Sequence, residues 1–240
     1  MPKEVEAETL YNCLEERGKT VISGADKLYR EMRFFKIWAA KKYPERDEKN
    51  DNGEWEIDNI HFDKMYDAAV KVISENNSNA ANAKLIDALL YAVARDNEAE
   101  RLADLLVEHG DWFRLLSRES LGSKYINAQW QFAKRLAECK ESDKDLIYVF
   151  IESDDEYTSR MSLGSMAGID PVKAEEYAVR FWERGKYEPG TYEDEYQKIM
   201  VLHVLYKIAS PKLEKYLNEA LRSDYKWLRE NAETIRSYSS

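Results

Sequence analysis

Apolar residues recur along this chain in a comb whose teeth repeat at fixed offsets. Met161, Leu163, Met166 and Ile169 are followed by Ala174, Tyr177, Ala178, Phe181 and Trp182; a shift of 39 residues lands on Met200, Leu202, Leu205 and Ile208, then Leu213, Tyr216, Leu217, Ala220 and Leu221. A shift of 75 residues backwards lands on Ile86, Ala88, Tyr91 and Ala94, then Ala99, Leu102, Ala103, Leu106 and Val107. Spacings of three and four mark one face of a helix, and a comb of two such faces repeated at this period predicts stacked two-helix units. The helices are too short to be stable alone in water, so their apolar faces must be buried against neighbouring units.

Ahead of the comb the pattern also reads as helix. Spans 3–17 and 26–42 are predicted helices, the second presenting Leu28, Met32, Phe35 and Ala39 on one stripe. The pair Tyr43-Pro44 ends it, because a residue before proline is pushed out of the helical region. Residues 45–56 (ERDEKNDNGEWE) form a polar loop around Asn52-Gly53, and Phe62, Met65, Tyr66, Ala69, Val70 and Ile73 mark a third helix. The break at 76–79 (NNSN) divides an N-terminal helical cap, 1–78, from a repeat array, 79–240. Within the array the second unit is irregular, with an inserted helix at 112–116. Asp170-Pro171 and Ser210-Pro211 each place a capping residue before a proline at the first helical position, and Ser153 with Glu156 and Thr191 with Asp194 have cap spacing.

Composition narrows the function classes. The 240 residues include 46 acidic and 36 basic side chains, a formal charge of −10. That balance disfavours a partner whose main contact is a phosphate backbone and suits a basic protein or peptide. Nine Gly and five Pro leave few breaks for a β fold. No stretch approaches the roughly 20 apolar residues of a membrane span, and the polar start Met1-Pro2-Lys3-Glu4 reads as no signal peptide. Cys13 and Cys139 cannot build a disulfide framework or a zinc site, so a cytoplasmic location is expected, with no cofactor and no metal.

The helix pairs at a period near 40 residues, with proline opening a helix, resemble the HEAT and armadillo class of α-solenoids. The resemblance implies an all-α, right-handed α-α superhelix behind the N-terminal cap, and a non-enzymatic scaffold that engages a protein or peptide on its concave face. Residues 102–125 (LADLLVEHGDWFRLLSRESLGSKY) together with Trp130 and Arg135 also resemble the DNA alkylation repair proteins of HEAT-like fold. That family implies a glycosylase whose site would use Asp111, Trp112, Trp130 and Arg135. The match departs at the chemistry: Asp111 precedes its aromatics, Arg114 stands where the acid is wanted, and one helical position is a rotation of about 100°.

Other candidates have structural explanations. The acidic clusters Asp154-Asp155-Glu156 and Glu193-Asp194-Glu195 fall at helix starts, where carboxylates complement the helix dipole. His61, His109 and His203 lack metal-ligand spacing; His203, between two apolar residues, reads as a partly buried, hydrogen-bonded histidine. Gly164 in a predicted helix reads as a site of close helix approach. The basic run from Lys27 to Lys42 reads as a solvated face over a packed aromatic stripe. Aromatics that fall off the comb in the last third, namely Tyr187, Tyr192, Tyr196, Tyr206 and Trp227, are the candidate binding residues, because tyrosine and tryptophan are favoured anchors at interfaces.

Overall fold

The computed structural model describes residues 24–44 and 59–239. The expected helix at 3–17, the loop at 45–56 and Cys13 lie outside the described residues. Among the described residues there are twelve α-helices and no strand: α1 Gly24–Lys42, α2 Ile60–Glu75, α3 Ala83–Arg95, α4 Arg101–Glu108, α5 Gly110–Ser120, α6 Ile126–Arg135, α7 Ile147–Phe150, α8 Glu156–Ile169, α9 Pro171–Glu183, α10 Tyr192–Lys207, α11 Leu213–Ala220 and α12 Lys226–Ser239. The fold is all-α.

Helices meet partners that are close to them in sequence. One series runs α1 against α3, α3 against α6, α6 against α8, α8 against α10 and α10 against α12. The others fill in beside it: α2 packs on α1 and α4, α9 on α8 and α10, and α11 on α10 and α12. The comb explains the series. Leu163 and Met166 of α8 are fully buried, as are Leu202 and Leu205 of α10, while Met161, Ile169, Met200 and Ile208 flank them half-buried. Matched teeth thus have matched burial, and each large one contributes on the order of 1.5–3 kcal/mol. Buried residues from Leu28 in α1 to Ile235 in α12 belong to one hydrophobic core. It crosses the break at 76–79, where Ser78–Ala80 form a 3₁₀ turn, and the rings of Phe35 and Tyr91 meet across it at 6.5 Å.

The caps decide where helices begin. Asp170 accepts from Lys173 N ahead of Pro171, and Thr191 Oγ1 accepts from Asp194 N, as the sequence predicts. Two expected caps differ. Ser153 Oγ takes Asp155 N, and Asp155 itself caps α8 by accepting from Thr158 N at 2.7 Å. Ser210 Oγ accepts from Lys212 N at 3.1 Å and donates to Glu175 Oε2 of α9 at 2.5 Å, but Pro211 sits in a turn and α11 starts only at Leu213. The inserted helix α5 is longer than its expected span of 112–116.

Candidate functional site

The first turns of α8 and α10 and the middle of α6 lie on adjacent members of the helix series. Each presents an aromatic. Trp130 of α6 meets Tyr157 of α8 edge to face, with ring centroids 4.7 Å apart at 62°. The Arg160 guanidinium lies 4.6 Å from the Tyr157 ring and 5.3 Å from the Tyr196 ring of α10. Tyr196 then stacks on Tyr192 at 6.2 Å. The result is a continuous row, Trp130–Tyr157–Arg160–Tyr196–Tyr192, across three helices. It grades from buried to open: Trp130 is 4% exposed, Tyr157 37%, Tyr196 39% and Tyr192 70%.

Local chemistry holds the row in place. Asp155 caps α8 immediately before the Glu156-Tyr157 pair. Arg160 is held one turn on by Glu156 at 2.9 Å. Burial pushes the Glu156 carboxyl above the usual range against the pull of Arg160, with Asp155 and Glu193 adding repulsion. Burial likewise raises the Tyr157 phenol. At the start of α10, the Tyr225 hydroxyl accepts from Gly190 N at 2.6 Å and donates to Asp194 Oδ2 at 2.5 Å. Gly190 has φ +96°, a conformation open to glycine.

Beside Trp130 and Tyr157 opens a cavity of about 440 Å³. Its polar wall carries the carboxylates of Glu98, Glu100 and Asp155 and the amides of Asn97 and Asn127. Glu100 is already engaged: Lys134 reaches both its oxygens at 2.8 and 2.9 Å, and Arg135 binds it as well as Asp104. Trp130 Nε1 donates to Asn127 Oδ1 at 3.1 Å.

The residues expected from the sequence are distributed as follows. Tyr192 and Tyr196 stand together in the row. Tyr206 is exposed near the far end of α10, and Trp227 is exposed on the first turn of α12 beneath Lys226. Tyr187 is half-buried, and its hydroxyl is covered rather than presented to solvent. Of the glycosylase set, Asp111 accepts from Ser78 N at 3.0 Å, and fully buried Trp112 donates from Nε1 to Asn76 O at 2.8 Å. Burial pulls the Asp111 carboxyl up, yet hydrogen bonds from Ser78 and the start of α5 outweigh it and hold the group below the usual range. Trp130 walls the cavity, and Arg135 is a buried ion-pair partner. The pair at 111–112 is therefore engaged with residues 76–78, apart from the contacts of Trp130 and Arg135.

His203 is exposed rather than partly buried, with Nε2 2.9 Å from Asn231 Oδ1. His61 Nδ1 lies 2.8 Å from Glu31 Oε2. Phe35 is buried and Lys36 lies over the Tyr91 ring, so the aromatic stripe of α1 faces the core. No helix among the described residues is long and apolar enough to cross a membrane.

Sequence reasoning missed Tyr157, Arg160, Glu98 and Asn127, and read Asp155 as part of a helix start. A signal for Tyr157 was present, since it precedes Tyr196 by the 39-residue offset of the comb. No family model matches the chain, and no curated protein and no solved structure is significantly similar to it.

Proposed function

We propose that the chain is a non-enzymatic binding scaffold. In this reading its helices form a right-handed HEAT-like solenoid that engages a basic protein or peptide along the aromatic row of α6, α8 and α10. The observation that carries it is the row itself: aromatics from three helices aligned in contact, opening progressively to solvent beside carboxylates. Buried-edge aromatics flanked by open ones are the composition of an interface centre. Ring faces and carboxylates both attract cations, which agrees with the net charge of −10. Against the glycosylase alternative stand the engagements of Asp111 and Trp112 with Ser78 and Asn76, which give both groups structural partners.

Immobilised protein and a Tyr157→Ala/Tyr196→Ala variant are compared for proteins retained from a host lysate, identified by mass spectrometry. A basic protein retained by the wild type and lost by the variant is the expected result. Equal retention by both refutes the row as the contact. Retention of duplex DNA that strengthens as salt falls would refute the protein-partner reading.

A further inference from the structure

We infer that Arg160 is the central contact of the aromatic row and grips a main-chain carbonyl of the partner through its two Nη groups. The inference rests on the binding-scaffold reading and adds the chemistry that the partner must present. The guanidinium is already fixed in place. Glu156 takes its Nε–H, with carboxylate oxygens at 2.9 and 3.1 Å, and the rings of Tyr157 and Tyr196 lie 4.6 and 5.3 Å away. The Nη groups are left over. Neither has a hydrogen-bond partner among the described residues, and neither is sealed from solvent, in a side chain that is 16% exposed. An arginine ordinarily gives up rotamer freedom when it binds; here Glu156 and the two rings have ordered it beforehand, so that cost is small. Arginine, tyrosine and tryptophan are the residues that carry most binding energy at the centre of an interface, and the row holds all of them.

A guanidinium carries donors alone, so its open edge calls for an acceptor. The surroundings select which kind. Glu156 is held against Arg160, and Asp155 and Glu193 are close enough to repel it. An incoming carboxylate or phosphate meets the same negative charges. A neutral amide carbonyl meets no such opposition. Every residue of a peptide supplies one, whatever its side chain, so this contact is compatible with the basic partner that the carboxylates favour. A lysine at this position could not do the same, because its ammonium is a compact, strongly hydrated point charge without a planar fork to lie against the rings.

The full chain is panned against a phage-displayed library of random dodecapeptides, with the Tyr157→Ala/Tyr196→Ala variant as the counter-selection. The strongest peptide is synthesised, and its binding to the wild type and to Arg160→Lys is measured by calorimetry. Each peptide amide is then replaced in turn by an ester, whose carbonyl is a weaker acceptor. Lysine keeps the charge and loses the fork, so Arg160→Lys should weaken the parent peptide about tenfold with an unchanged urea midpoint. One ester should weaken binding to the wild type about three- to tenfold and leave binding to Arg160→Lys unaltered, the non-additivity that identifies a direct contact. Esters whose effects are equal in both proteins overturn the inference. So does a peptide in which an Asp, Glu, Asn or Gln side chain carries the coupling instead. A peptide lost by the Tyr157→Ala/Tyr196→Ala variant but bound equally by Arg160→Lys removes this inference and leaves the scaffold reading standing. A library that yields no peptide overturns both.

Discussion

Two glycines of α8 provide a test of the packing that positions the site, because the same substitution meets opposite neighbours. A Cβ added at Gly164 would lie 3.1 Å from Sδ and 3.5 Å from Cε of Met200 in α10. A Cβ added at Gly168 would lie 3.2 Å from Cβ of Ala137, which follows α6. Either alanine gains up to about 1 kcal/mol in helix propensity, somewhat less for Gly168 in the last turn. Either also needs its neighbour to yield by a few tenths of an ångström. Met200 can do so: its thioether is unbranched and half-buried, so rotation about its side-chain bonds opens the space. Ala137 cannot. Its Cβ moves only with its backbone, and that backbone is tied to α8 by Ala137 N donating to Ser165 Oγ at 3.1 Å. Overpacking of that kind costs about 1–3 kcal/mol. Gly164→Ala should therefore stabilise by about 0.5–1 kcal/mol, and Gly168→Ala should be neutral or destabilising by up to about 2 kcal/mol. Urea unfolding at constant m reads the difference, and thermal midpoints should separate by about 2–4 °C per kcal/mol at this chain length. Gly168→Ala as stable as Gly164→Ala would refute the placement of α8 between α6 and α10.

The remaining predictions concern the groups borrowed from the glycosylase resemblance. Trp112→Ala should cost about 3–5 kcal/mol in urea unfolding through lost core volume, whereas Trp112→Phe should cost about 1–2 kcal/mol for the smaller ring and the indole bond to Asn76 O. Asp111→Ala should cost about 1–2 kcal/mol at neutral pH, and Asp111→Asn less, because an amide oxygen still accepts from Ser78 N. The Asp111 pKa is lower folded than unfolded, so its contribution is complete above the ordinary carboxylate pKa and is lost as pH falls through the depressed value; the asparagine variant should flatten the stability profile below about pH 4. Arg135→Met should cost about 1–3 kcal/mol rather than the 3–5 of a stranded buried charge, because Lys134 continues to neutralise Glu100; adding Lys134→Met should then cost more than it does alone.

Much of the fold was legible because helix periodicity is imposed by the core. The teeth at 161–169 and 200–208 predicted both the existence of α8 and α10 and which side chains each buries. Caps were legible where the capping side chain had only local partners, as at Asp170 and Thr191. They failed where a closer residue competed, as Asp155 does for Ser153. The close approach at Gly164 was also legible, and the neighbour is Met200. Of the candidate contact residues, Tyr192 and Tyr196 stand in the row because they fall off the comb at the open start of α10. Tyr187 falls off the comb too, yet its hydroxyl is covered beside the charged cluster of Glu156 and Arg184.

The cavity was illegible for a different reason: it forms where the repeat is irregular. Its walls come from the α3–α4 connection, α6 and the start of α8, and the comb has no matched teeth for Trp130 or Asn127. What joins these segments is Glu100, a non-glycine residue at φ +56°. That conformation costs on the order of 1 kcal/mol and glycine would relieve it, but glycine has no carboxylate. Here the carboxylate binds Lys134 and Arg135 and fastens the start of α4 to the end of α6. The strain is offset by an ion-pair cluster that sets one wall of the cavity opposite Tyr157. Such a link depends on a backbone angle and on residues 34 and 35 positions apart, and neither leaves a periodic trace in the chain.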